Sequence, residues 1–262
     1  MRRDVLCIRA FFYKNWIMAK RNIFSLLELA FWPTVGLLSI GLMTRYLGLD
    51  ANTRAFVLIG ILATATLHVC QLDVSYSLLY SVWSKSVKHE FIAPVRAHHL
   101  VLGSWMMGMV RATIVVVAVA VLGRSAFDFD FLAPGLGRAV LFTFGVFCNA
   151  ALVGMIVCAL VLLLGQRAEI AAWSLDYLVM VLCGMYYPVE LLPAPAKMLG
   201  SMLPITYFLE YFRSFYGFSS AFAHPLATGY GLALLYFLGG LVLLDAAIHR
   251  ARRSGVLMKL SE

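Results

Sequence analysis

Apolar and polar positions divide this chain into long hydrophobic runs joined by short connectors. Runs long and apolar enough to cross ~30 Å of hydrocarbon fall at about 23–47, 54–80, 99–123, 138–164, 170–187 and 226–248. Backbone groups in lipid must satisfy their own hydrogen bonds, so these runs predict an all-α integral membrane fold with six transmembrane helices. Ahead of the first run, Val5, Ile8, Phe12, Trp16 and Ala19 recur at spacings of three and four, with Arg3, Lys14 and Arg21 on the opposite side. That periodicity predicts a basic amphipathic helix over residues 1–22, lying along the membrane surface.

Two connectors break the simple alternation of span and loop. After the second run, SVWSKSVKHEFIAPVRAHH mixes Val82, Trp83, Val87, Phe91, Ile92 and Val95 with charges where a passive connector needs only polar residues. A short amphipathic helix at about 81–96, stopped by Pro94, is expected there. It either docks a soluble partner or lies flat on lipid. After the fifth run, GMYYPVELLPAPAKMLGSMLPITYFLEYFR places Pro188, Pro193, Pro195 and Pro204 in a segment still rich in Leu and Met. Proline removes a backbone donor and breaks helices, so residues 188–213 are expected to form a broken, re-entrant element at one membrane face.

Composition agrees: 62% of residues are hydrophobic and only 13% charged, about half the charged share of a soluble domain. No long polar stretch exists to build a second domain, so residues 1–262 are read as a single transmembrane domain. Charge placement sets the orientation. Fourteen Lys and Arg fall in the two terminal segments and the loops after the second and fourth runs, and six on the other side. By the positive-inside rule both termini are cytoplasmic. The net charge of +8 is therefore a topology signal that anionic lipid headgroups satisfy, and it does not point to nucleic acid. The first 22 residues are too charged for a cleavable signal peptide, so the first span is expected to be a retained anchor. Cys7, Cys70, Cys148, Cys158 and Cys183 are scattered without a paired spacing. They support neither a disulfide framework nor a metal site.

Charges inside apolar runs are costly and therefore candidates for function. Glu28, His68, Gln71, Asp73, Arg111, Asn149, Asp176 and Asp245 fall within or near the spans. Glu28 and Asp245 lie near the cytoplasmic ends, where headgroups or water satisfy them. Arg111 is the deepest charge, ~18 Å along its helix, and needs an acidic partner. Asp73 or Asp176 is expected to supply it, either as an ion pair holding helices together or as part of a proton relay. Ala150 and Gly154 give one close-packing spacing in the fourth span.

No lysine follows a glycine anywhere in the chain, so a phosphate-binding loop is excluded, and no H-E-x-x-H or G-x-S-x-G occurs. Enzymatic chemistry has no visible carrier beyond the scattered Asp and His residues. The chain is thus expected to be no enzyme itself and to bind no cofactor.

These elements together resemble the membrane permease subunits of ABC-2-type exporters. The most specific part is G-x-x-Y-P-V-E-x-L-P at Gly184 to Pro193, P-x-T-Y at Pro204 to Tyr207, and E-x-x-R at Glu210 to Arg213. In that family this segment forms short re-entrant helices that close the outer end of the route and contact the second permease. The resemblance implies Pro188, Glu190, Pro193, Pro204, Tyr207, Glu210 and Arg213 as outer-gate residues. It likewise implies that Lys88, His89, Glu90, Phe91, Ile92 and Pro94 form the coupling helix against an ATPase, in a version shortened between the Glu and the Pro. Family members assemble as two permeases, alike or homologous, with two ATPase subunits that bind ATP and Mg, in a bacterial inner (cytoplasmic) membrane. The lead-in AKRNIFSLLELAFWPTVG is similar to the drug and lipo-oligosaccharide export branches, with polysaccharide export open. The competing readings are an intramembrane enzyme using His68, Asp73 and Asp176, and a channel or assembly factor without ATP coupling.

Overall fold

A computed structural model describes residues 2–93 and 95–253. Ten α-helices follow in order: α1 (Arg2–Arg21), α2 (Ile23–Tyr46), α3 (Ala51–Trp83), α4 (Val87–Ile92), α5 (Ala97–Phe127), α6 (Leu136–Leu164), α7 (Ala171–Leu182), α8 (Ala194–Ser201), α9 (Pro204–Arg213) and α10 (Pro225–Arg253). No strand occurs among the described residues. The all-α membrane architecture is that expected from the hydrophobic pattern. Among the described residues, four helices, α3, α5, α6 and α10, are long and apolar enough to cross a membrane. The first predicted span folds as the 24-residue α2, which continues through Pro33. The fifth is shorter than its apolar run: α7 has 12 residues, about 18 Å of helix, and is preceded by a 3-10 turn at Gln166–Ile170.

The core is built around α3. Asp50 caps its start, with Oδ2 accepting the Asn52 and Thr53 amides at 3.1 and 3.2 Å, which satisfies donors the helix itself leaves free. Nearly every residue from Ala55 to Val82 is buried, as a helix apolar on all sides must be. Small residues on α5 and α6 let those helices approach closely: a Cβ on Gly108 would meet Cys70 O at 2.8 Å, and one on Gly154 would meet the Val74 side chain at 2.6 Å. The small-residue spacing at Ala150 and Gly154 is thus consumed inside the chain, against α3.

At one end of the bundle, α1 packs on α5 through Phe11 and the Ile8 carbonyl, which a Cβ on Gly103 would meet at 2.5 and 2.6 Å. Phe11, Asn15 and Ala19 are buried, while Val5 and Trp16 of the expected apolar stripe stay exposed. The sequence stripe is therefore split between protein and surroundings. Asp245 of α10 accepts the Ala97 amide at 2.8 Å and so joins the start of α5 to the last helix.

Candidate functional site

Three constellations concentrate the polar chemistry. The first joins α1, α3 and α4. Lys14 Nζ donates to the Ser77 carbonyl at 2.8 Å, to Ser81 Oγ at 2.7 Å and to Glu90 Oε2 at 2.8 Å. The Ser81 hydroxyl also donates to Glu90 Oε2. Phe91 is buried among Val82, Val87 and Val95, and the Arg252 guanidinium lies 6.0 Å from its ring. His89 is exposed and Lys88 half-buried. Of the coupling residues implied by the resemblance, Glu90 and Phe91 thus turn inward as the anchors of α4, and His89 points outward. The Ile92 side chain and Pro94 lie outside the described residues, as does the Glu28 side chain.

The second constellation is the proline-rich segment. Pro188 precedes a 3-10 turn at Val189–Leu191, and Pro193 and Pro204 stand just before or at the first turn of α8 and α9, where proline's missing N–H is not needed. Glu190 and Pro193 are exposed, whereas α9 is buried nearly throughout. Arg213 is 1% exposed. Its Nη1 donates to Gly184 O at 2.8 Å, its Nη2 to Met185 O at 2.5 Å and Phe56 O at 3.3 Å, and its guanidinium lies 3.4 Å from the Phe56 ring centroid. These bonds tie the end of α9 to the chain leaving α7 and to α3. Glu210 is buried and accepts the Ala221 amide at 3.2 Å; burial raises its carboxyl above the ordinary range. It is not within salt-bridge distance of Arg213 among the described ion pairs. The Tyr207 hydroxyl donates to Ser201 O at 2.8 Å, fixing α9 on α8.

The third lies between α2, α3, α5 and α7. Arg111 Nη1 stands 2.5 Å from Asp73 Oδ1, so Asp73 is the acidic partner of the deep arginine. Asp176 instead meets His68, Oδ2 to Nδ1, at 2.6 Å. Gln71 Nε2 donates to Ala172 O at 2.8 Å and holds α7 on α3. His68, Arg111 and Asp176 line a cavity of about 400 Å³ whose walls include Trp32, Tyr76 and Trp173.

Two relationships escaped the sequence. Lys14 sits on the polar side of α1, which reads as headgroup contact, yet the fold spends it on Glu90. Asp4, His98 and His99 also converge, with ligand atoms within 4.8 Å of one another, although no clustered ligand set is visible in the chain. The Arg96 amide donates to His99 Nδ1 at 3.2 Å, so Nε2 holds the proton and donates it to Asp4 Oδ1 at 3.2 Å. That is a hydrogen-bonded tether between α1 and α5, with the His99 lone pair already used.

Apolar spanning helices, a short anchored helix in a connector and a buried broken segment define a multi-pass membrane architecture. The chain belongs to the ABC-2 type transporter family, which it matches over residues 7–216. It is a multi-pass membrane protein and an ABC transporter permease. An uncharacterized protein of Archaeoglobus fulgidus is 38% identical over 55 residues, 21% of this chain and 86% of that protein.

Proposed function

We propose that the chain is the permease subunit of an exporter that moves an amphipathic or lipid-linked substrate, such as a drug, lipo-oligosaccharide or polysaccharide, out of the cytoplasm. The observation that carries this reading is the seating of α4. A six-residue helix has too few hydrogen bonds to stand alone, yet Glu90 is fixed by Lys14 and Ser81 and Phe91 is buried. A push on exposed His89 is thereby transmitted to α1 and α3 together. In this reading a separate ATPase docks on α4, two copies of each subunit form the complete exporter, and the ATPase supplies the nucleotide site with its Mg. Nucleotide acts only through its differential affinity for inward-open and outward-open states.

The topology that goes with this places both termini and α4 in the cytoplasm of a bacterial cell with six passes through its inner membrane, and it places Pro188–Arg213 at the outer face as the gate. The buried Arg213 bonds support a rigid closure there, since they hold α9 against α3. The enzyme reading has less support: Asp73 is paired with Arg111 and so does not join His68 and Asp176 in one constellation.

The test is affinity purification of the tagged permease from its native membrane, followed by substrate flux in vesicles. A P-loop ATPase recovered at one copy per permease, with ATP-dependent flux, is the expected result. A permease recovered without any ATPase, or flux indifferent to ATP, would replace this reading with that of a channel or assembly factor.

A further inference from the structure

The cavity between α2, α3, α5 and α7 holds a carboxylate that the rest of the fold does not use up. Asp176 is 5% exposed. Its Oδ2 is bonded to His68, but its Oδ1 has no hydrogen-bond partner. A buried carboxylate oxygen without a donor costs ~1–3 kcal/mol or more, so a ligand donor that reaches it as the neighbouring side chains shift gains a hydrogen bond the fold does not make.

Charge gives the sign of that ligand. Arg111 and Asp73, the other charged pair at this level, neutralise each other across 2.5 Å. Asp176 is the carboxylate that lines the cavity, beside His68 and Arg111. An anionic ligand would meet the Asp176 carboxylate and an arginine already engaged with Asp73, whereas a cationic donor meets a carboxylate oxygen without a partner.

The walls give the shape. Trp32, Tyr76, Trp173, Tyr177 and Tyr186 line the same cavity, and Trp173 stands 5.2 Å from the His68 ring. Indole and phenol faces attract cations within ~6 Å and stack on flat apolar groups. A volume of about 400 Å³ lies inside the ~300–1,000 Å³ range of sites for drug-sized ligands. Tyr76 also belongs to a compact aromatic cluster on α3, with Tyr76, Tyr80 and Trp83 mutually 5.5 Å apart.

We infer that this cavity binds an amphipathic organic cation, with an N–H donor of its ammonium group on Asp176 Oδ1 and its aromatic or acyl body among Trp32, Trp173 and Tyr177. This names a substrate class for the export reading above and rests on it, since the cavity becomes a transport site only if the chain is a permease.

The experiment uses the permease with whatever subunits co-purify, in phosphatidylcholine nanodiscs without nucleotide, and follows energy transfer from tryptophan to three dansyl probes. Dansylcadaverine carries a primary ammonium, dansylamide is neutral and dansylglycine is anionic. Saturable transfer with dansylcadaverine, at least tenfold tighter than with either control, is expected. Trp32→Phe with Trp173→Phe should remove most of that transfer, and Asp176→Asn should weaken binding at least tenfold while Asp176→Glu retains it. Equal affinity for the three probes overturns the inference, because the aromatic body alone then explains binding. That comparison uses the unaltered protein and stands even where Asp176→Asn fails to fold; unchanged binding in a folded Asp176→Asn protein overturns it too. Because no nucleotide enters the assay, loss of this inference leaves ATPase recovery intact, and loss of ATPase recovery leaves the binding result intact.

Discussion

Lys14 Nζ and Glu90 Oε2 lie 2.8 Å apart, an ion pair between α1 on the bundle surface and the short α4. Both side chains are largely withdrawn from solvent, at 24% and 16% exposure, and Ser81 completes the shell around the carboxylate. Lys14→Met leaves Glu90 half-buried without its cation and is expected to cost about 1–3 kcal/mol. In a double-mutant cycle with Glu90→Gln the two changes should couple by ~0.5–3 kcal/mol, read as thermal unfolding in detergent. Strictly additive losses would mean that the pair does not hold the two helices together.

The two sides of α4 should separate in their phenotypes. Phe91→Ala empties a buried site and should lower stability by about 3–5 kcal/mol. His89→Asp and Lys88→Glu alter the outward side and should leave the unfolding midpoint nearly unchanged while reducing the amount of co-purifying ATPase. Full ATPase recovery with both charge changes in place would put the docking surface elsewhere.

Arg213 should not tolerate lysine. Its planar fork reaches three carbonyls and lies on the Phe56 ring, a geometry that an ammonium does not reproduce. Arg213→Lys and Arg213→Met are each expected to cost ~2–5 kcal/mol, the range for disrupting a buried charged group, visible as a lower midpoint in fluorescence-detected size-exclusion melts. A lysine variant as stable as the parent would show that charge alone suffices.

Gly60 marks where α3 touches the chain leaving α7. An added Cβ would stand 1.7 Å from Met185 O, a backbone atom, whereas at Gly36 it would meet nothing within 4 Å. Gly60→Ala should therefore destabilise by about 1–3 kcal/mol or more through overpacking. Gly36→Ala, in an open helical site, should be neutral to stabilising by up to ~1 kcal/mol. Comparable midpoints for the two variants would contradict the close contact.

Glu210 gives a pH dependence with a defined sign. Its carboxyl is raised by burial, so the protonated form is the one that the folded protein favours. The stability it contributes is full below the ordinary carboxylate range and is lost as pH rises through the elevated folded value. Glu210→Gln, which stays neutral, should thus gain stability relative to the parent as pH climbs from about 4 toward 7. A constant difference across that range would mean that Glu210 remains as easily ionised in the fold as out of it.

Hydrophobic periodicity along the chain was enough to determine an all-α membrane protein and the positions of its long helices, and proline chemistry a break from about residue 188, because span length and proline chemistry are local properties; the helix itself ends earlier, at Leu182. The specific motif between Gly184 and Arg213 also disclosed the family without any tertiary contact. What the sequence left open was which charges meet. Asp73 and Asp176 are the same residue type in similarly apolar runs, and only the packing of α5 and α7 on α3 gives Arg111 to the first and His68 to the second. Lys14, Glu90 and Ser81 are separated by up to 76 residues, so no helical or strand period relates them. Partner choice depends on which surfaces the folded helices bring within ~4 Å, and that is set by the close approaches at Gly60, Gly108 and Gly154. Apolarity therefore decided where the helices are, and tertiary packing decided which of their few charges pair and which, like Asp176, keep a buried oxygen without a hydrogen-bond partner.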